Sequence, residues 1–153
     1  MPIKRDEFLK PLSRDHHHGL LLCRKIRTGF KKQVEISRIK SYSDWFYKNH
    51  LLPHFDVEEK YVFSILGNDH EMVKKALSEH RKLKRLFEDR DNVPKNLGKI
   101  EENLEAHIRF EERVLFNEIQ NTACAKELEE MEAKHSGTSG TCSVDEWKDE
   151  FWK

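Results

Sequence analysis

The sequence predicts an all-α protein, an up-down-up-down four-helix bundle with a C-terminal helical and aromatic tail. Two observations carry that prediction. Apolar residues recur at helical spacing in four separate stretches joined by short connections, and no stretch keeps the two-residue alternation of a half-buried strand for long. The 153 residues fit one domain, large enough to bury about 70% of the surface its unfolded chain would expose. No metal or disulfide is needed merely to make such a chain fold.

The first helix is expected to begin near Ser13, an N-cap residue after Pro11, and to run to Gly29 or slightly beyond through Leu20, Leu22, Cys23, Ile26 and Phe30. The second covers about Ser43 to Leu66, is kinked by Pro53 and ends at Gly67. Asn68 or Asp69 then caps a third helix that carries Val73, Ala76, Leu77, His80, Leu83 and Phe87. After the loop DRDNVP, a fourth helix lines up Leu97, Ile100, Leu104, His107, Glu111, Leu115 and Ile119. Residues 1–121 form the bundle in this reading, and residues 122–153 a C-terminal extension packed on it. In that extension the charged segment KELEEMEAKH precedes a flexible SGTSG break. Trp147, Phe151 and Trp152 come next at i, i+4 and i+5, so the tail is expected to fold back and cap the bundle rather than serve as a docking peptide.

Composition removes several function classes. Lysine plus arginine (28) balance aspartate plus glutamate (28), so no global field favours nucleic acid or an anionic membrane. KIRTGFKK and HRKLKR are locally basic, but acidic residues flank them and no aromatic residues interleave, which leaves them as solvated faces. MPIKRDEFLK lacks a signal-peptide apolar run and no stretch approaches the ~20 apolar residues of a membrane span, which predicts a cytoplasmic protein. Cys23, Cys124 and Cys142 have neither CxxC nor disulfide-framework spacing, so reduced, packing cysteines are expected. Histidine, with nine residues, is the outlier.

HFDVEEKYVF, residues 54–63, is nearly repeated as HIRFEERVLF, residues 107–116. Within each copy the histidine and the first glutamate are four residues apart, ~40° around the helix axis and ~6 Å along it, so both face one way. His54 and Glu58 share a face with Tyr47, Leu51, Tyr61 and Ile65, and His107 and Glu111 continue the line of Leu97, Ile100 and Leu104. His80 lies on the line of Val73, Leu77 and Phe87. Of the three consecutive histidines in the first helix, His16 deviates by ~45° from the buried direction, whereas His17 and His18 deviate by more than ~100°. Buried without partners, each such group would cost several kcal/mol. Six of them converging in one bundle point to metal. Imidazole nitrogens with carboxylate oxygens and no thiolate suit iron, manganese or zinc, and two carboxylates able to bridge suggest a pair of ions. The ferritin-like Glu-x-x-His string occurs only as Glu132 to His135.

LSRDHHHGLLL, HFDVEEKYVF, SEHRKL and HIRFEERVLF, in that order over about residues 10–121, resemble the hemerythrin or HHE cation-binding domain. The resemblance implies a non-haem di-iron centre, two iron ions joined by an oxo or hydroxo bridge. His16 and His54 would bind one ion, His80 and His107 the other, and Glu58 and Glu111 would bridge them. Glu59 and Glu112 are expected to be solvated or to orient ligands, His50 to line the pocket, and Tyr47 and Tyr61 to fill the core or bond a ligand. Phe63, Phe110, Phe116, Leu104 and Leu20 would form an apolar wall. Oxygen carriers of this family have a fifth histidine on the third helix; here the positions four before and four after His80 are Ala76 and Lys84. That departure argues against reversible oxygen carriage. The expected function is binding or sensing of oxygen, nitric oxide or iron. A di-iron oxidase or peroxidase-type enzyme is the alternative, with a metal-free helical adaptor behind it.

Overall fold

The computed structural model describes residues 9–122 and 149–152. Among these residues there are four helical runs and no strand. The first helix spans Lys10–Lys31. The second run, residues 36–65, joins Ile36–Phe46, a π-helical turn at Tyr47–Leu51, a short α segment at Leu52–Val57, a second π turn at Glu58–Val62 and a 3₁₀ turn at Phe63–Ile65. The third helix is Glu71–Glu88. The fourth run, residues 93–122, joins Val93–Phe110, a π turn at Glu111–Leu115 and Phe116–Thr122.

Three helix starts differ from the sequence expectation, each for a local reason. The first helix begins at Lys10 because Pro11 suits the first turn, where its missing N–H leaves nothing unpaired, and Ser13 already donates its N–H to Leu9 O at 3.0 Å. The second begins at Ile36, and Ser43 lies buried inside it with its hydroxyl donating to Ile39 O at 2.8 Å. The cap of the third helix is His70 rather than Asn68 or Asp69; its Nδ1 accepts the N–H of Met72 at 3.1 Å. Gly67 closes the second run with φ 90°, a conformation that glycine adopts without penalty.

Pro53 does not interrupt the second run. The preceding π turn, in which the N–H of Leu52 reaches back five residues to Tyr47 O, gives room to a ring that would otherwise press on the carbonyl four residues earlier. Asn49 also donates its side-chain amide to Trp45 O at 2.9 Å.

Two apolar clusters fill the interior. One holds Leu22, Cys23 and Ile26 of the first helix, Phe46, Leu51 and Phe55 of the second, Leu83 and Phe87 of the third, and Leu97, Leu104 and Ile108 of the fourth. The other holds Leu9 and Leu12, then Val57, Val62 and Phe63, then Val73 and Ala76, then Leu115, Phe116 and Ile119. In every helix the chain passes from one cluster to the other, and the inward histidines and glutamates lie at the crossover. The first and fourth helices approach closely at Gly19, where an added Cβ would sit 2.8 Å from Ile108 Cδ1. That approach sets His16, one turn earlier, against the fourth helix.

Phe151 is buried in the first cluster with its ring 5.8 Å from that of Tyr42, Lys25 lies over the Trp152 ring, and Arg38 pairs with Asp149 at 2.6 Å. Cys124, Cys142, Trp147, the KELEEMEAKH and SGTSG segments and the Glu132 to His135 string lie outside the described residues. Among the described residues no helix is long and apolar enough to cross a membrane.

Candidate metal centre

The six inward residues named from the helical period, His16, His54, Glu58, His80, His107 and Glu111, meet in one layer and are all buried. Glu58 and Glu111 are fully inaccessible, at 0% exposure. Their donor atoms fall into two overlapping groups. His16, His54, Glu58 and Glu111 form one, and Glu58, His80, His107 and Glu111 the other; within each group the atoms all lie within 4.8 Å of one another. The two carboxylates belong to both groups. His17, next to His16, is exposed, and the rings of Trp45 and Phe46 flank His50, which belongs to neither group.

The imidazoles turn their Nε2 atoms inward. His54 and His80 place Nε2 3.2 and 3.3 Å from Glu58 Oε1, and His16 stands 3.8 Å from Glu58 Oε2. His16 and His107 place Nε2 3.1 and 2.9 Å from Glu111 Oε1. Each glutamate therefore faces histidines of both groups. The Nε2 atoms of His80 and His107 are only 3.0 Å apart.

The outward nitrogens explain this orientation. Nδ1 of His16 donates to Glu112 Oε1 at 2.7 Å and Nδ1 of His54 to Asp15 Oδ2 at 3.1 Å. Nδ1 of His80 donates to Glu59 Oε2 at 2.9 Å and Nδ1 of His107 to Glu79 Oε1 at 2.7 Å. An ionised carboxylate can only accept, so each contact keeps the hydrogen on Nδ1 and the Nε2 lone pair directed at the centre. Aromatic rings hold the imidazoles from the sides: Phe116 stacks on His16 at 5.2 Å, and Phe55 on His80 at 3.9 Å.

Whether a metal fits can be tested on two features. First, buried polar atoms normally find hydrogen-bond partners. Here His54 Nε2, both carboxylate oxygens of Glu58 and Glu111 Oε2 make no hydrogen bond, although imidazole nitrogens stand 3.2–3.8 Å from Glu58. Second, two donors ~2.0–2.1 Å from a common ion and ~90–110° apart at it stand ~2.8–3.4 Å from each other. The nitrogen–oxygen separations of 2.9, 3.1, 3.2 and 3.3 Å have that spacing. The cluster can hold a metal ion on both counts.

Without an ion, protons take its place. Burial alone would push the imidazoles down, yet the carboxylates around them more than reverse this. Glu58 and Asp15 raise His54 to about 9, and Glu111 and Glu79 raise His107 to about 10. Burial would lift the Glu58 carboxyl, but the positive charge of His54 and the other imidazoles around it hold it well below its ordinary range. Cys23 is a buried thiol pushed up to about 12, and it packs rather than reacts.

A cleft of about 240 Å³ lined by Leu52, Phe55, Asp56, Glu59, His80, Arg81 and Lys84 lies against His80 at the edge of the centre. Sequence reasoning did not assign Asp15, Glu79 or Phe55 a part in the site. Tyr47, expected to fill the core or bond a ligand, is buried in the first cluster, where it stacks on Phe87 and donates its hydroxyl to Glu88 at 3.1 Å. No family model, curated protein or solved structure matches the chain, so any functional reading rests on the geometry of the cluster.

Proposed function

We propose that this chain is a non-haem di-iron protein of the hemerythrin-like, HHE cation-binding kind that binds or senses oxygen, nitric oxide or iron itself. The observation that carries the reading is the pair of overlapping donor groups sharing Glu58 and Glu111. In this reading His16 and His54 hold one ion, His80 and His107 hold the other, and the two glutamates span both. Nitrogen and oxygen donors without thiolate suit iron, manganese or zinc, and it is the resemblance to the HHE domain that selects iron in this reading. A bound iron pair would supply two electrons to a small ligand.

The residues of the chain would do the rest. The apolar clusters on either side keep bulk water from the layer, so charges inside it interact strongly. The outer carboxylates fix each imidazole in the tautomer that presents Nε2. The cleft beside His80 has room for a ligand of a few atoms, smaller than an ordinary organic-substrate pocket. Ala76, buried in an apolar cluster, and Lys84, at the cleft, supply no fifth histidine, which favours sensing over reversible carriage. The reading extends to topology. The first and third helices pass from the Leu12 cluster to the Leu22 cluster and the second and fourth pass the opposite way, as an up-down-up-down order requires.

The test is anaerobic reduction of the iron-loaded protein followed by titration with nitric oxide and then oxygen, read by visible absorption. One saturable change per chain supports a gas-binding or sensing protein. Continuous oxygen consumption would move the assignment to a di-iron oxidase or peroxidase, and no spectral response to either gas would reject the gas-binding reading.

A further inference from the structure

Each outer carboxylate is the immediate sequence neighbour of an inward residue: Asp15 precedes His16, Glu59 follows Glu58, Glu79 precedes His80 and Glu112 follows Glu111. Yet none of them holds the histidine of its own helix. A neighbour is rotated ~100° around the helix axis, toward the adjoining helix, and there it meets that helix's imidazole. Asp15 of the first helix holds His54 of the second, Glu59 of the second holds His80 of the third, Glu79 of the third holds His107 of the fourth, and Glu112 of the fourth holds His16 of the first. The contacts close a ring around all four helices.

The ring divides according to the donor groups. Asp15 and Glu112 orient the histidines of the group containing His16 and His54; Glu59 and Glu79 orient those of the group containing His80 and His107. We propose that these four acids are positioning residues acting in two pairs, one pair per metal position, so that each position can be weakened separately from the other. The proposal rests on the two-ion reading of the centre. Within each pair the acids are unequal. Glu112 and Glu79 make the 2.7 Å contacts and have side chains 28% and 25% exposed, whereas Asp15 and Glu59 make the 3.1 and 2.9 Å contacts at 44% and 43% exposure. Lys75 further fixes Glu79, at 2.9 Å. Glu112 and Glu79 should therefore matter more than Asp15 and Glu59.

The experiment titrates zinc into the metal-free wild-type protein and into Asp15→Asn, Glu112→Gln, Glu59→Gln and Glu79→Gln, with stoichiometry and affinity read by chelator competition. Nitrogen-15 spectra of the histidines identify the position affected. Wild type should bind two ions. Each single substitution should weaken one of them 10- to 100-fold and leave the other unchanged, since outer-shell partners contribute on that scale. Asp15→Asn and Glu112→Gln should move the signals of His54 and His16, and the other two substitutions those of His80 and His107. Asp15→Glu, which keeps the charge, should restore affinity. Wild-type protein that binds fewer than two ions would reject the two-ion reading itself. Two ions in wild type, with a substitution that weakens both equally or neither, would overturn the pairwise positioning and leave that reading standing.

Discussion

Removing metal should cost this protein much of its stability. Four buried donor atoms, His54 Nε2, Glu58 Oε1, Glu58 Oε2 and Glu111 Oε2, have no hydrogen-bond partner from the chain. A buried polar atom left in that state costs ~1–3 kcal/mol, so the metal-free layer would carry about 4–12 kcal/mol of desolvation before its imidazole–carboxylate ion pairs are counted. The imidazoles 3.2–3.3 Å from Glu58 recover part of this, which puts the expected effect near the low end. Domains of this size have only ~5–15 kcal/mol in hand, and ~1 kcal/mol moves the melting temperature by ~2–4 °C. Thermal melts in excess chelator should therefore fall about 8–16 °C below melts of protein reloaded with ferrous iron or zinc, the gap widening with free metal concentration. Melts that agree within ~2 °C would show that the layer is satisfied without an ion and would refute the reasoning.

Three further outcomes are expected from the same geometry. Glu58→Ala and Glu111→Ala should each leave at most one ion per chain by elemental analysis, because both carboxylates face histidines of both groups; two ions retained after either change would remove their bridging role. His16→Ala should lower metal content while His17→Ala leaves it unchanged, since only His16 points into the layer, and the reverse result would mean that the first helix is rotated from the orientation described. The pH dependence should change sign with loading. In metal-free protein the raised imidazoles, His54 at about 9 and His107 at about 10, contribute stability that is full below the unfolded value of about 6.5 and is lost as pH rises through 9 to 10. Metal must displace those protons, so the affinity of the loaded form should rise over the same window, with proton release detectable in weak buffer. Parallel melting-temperature trends with and without metal between pH 6.5 and 10 would contradict it.

The apolar period made the four helices legible, and it also placed His16, His54, Glu58, His80, His107 and Glu111 on inward faces, because a polar residue on an apolar stripe stands out. Asp15 and Glu79 were not legible in that way. They lie off the stripe and act across a helix interface, so no period within one helix marks them. A signal was present all the same: every inward polar cluster in the sequence has an acid directly beside it, as DH, EE, EH and EE. The π turns were equally hidden. Each adds a residue to one turn and rotates the helix beyond it, which no apolar period marks. The early helix starts at Lys10 and Ile36 arise because Ser13 and Ser43, cap residues by type, sit inside their helices instead, the first with its N–H bonded to Leu9 O and the second with its hydroxyl on Ile39 O.

The most direct test of the central claim is a crystal structure of the iron-loaded protein with anomalous scattering measured on both sides of the iron edge. The account predicts two iron peaks per chain, ~3.5–4 Å apart, one bordered by His16 and His54, the other by His80 and His107, with Glu58 and Glu111 reaching both. A single peak, or a metal peak away from these six residues, would contradict it.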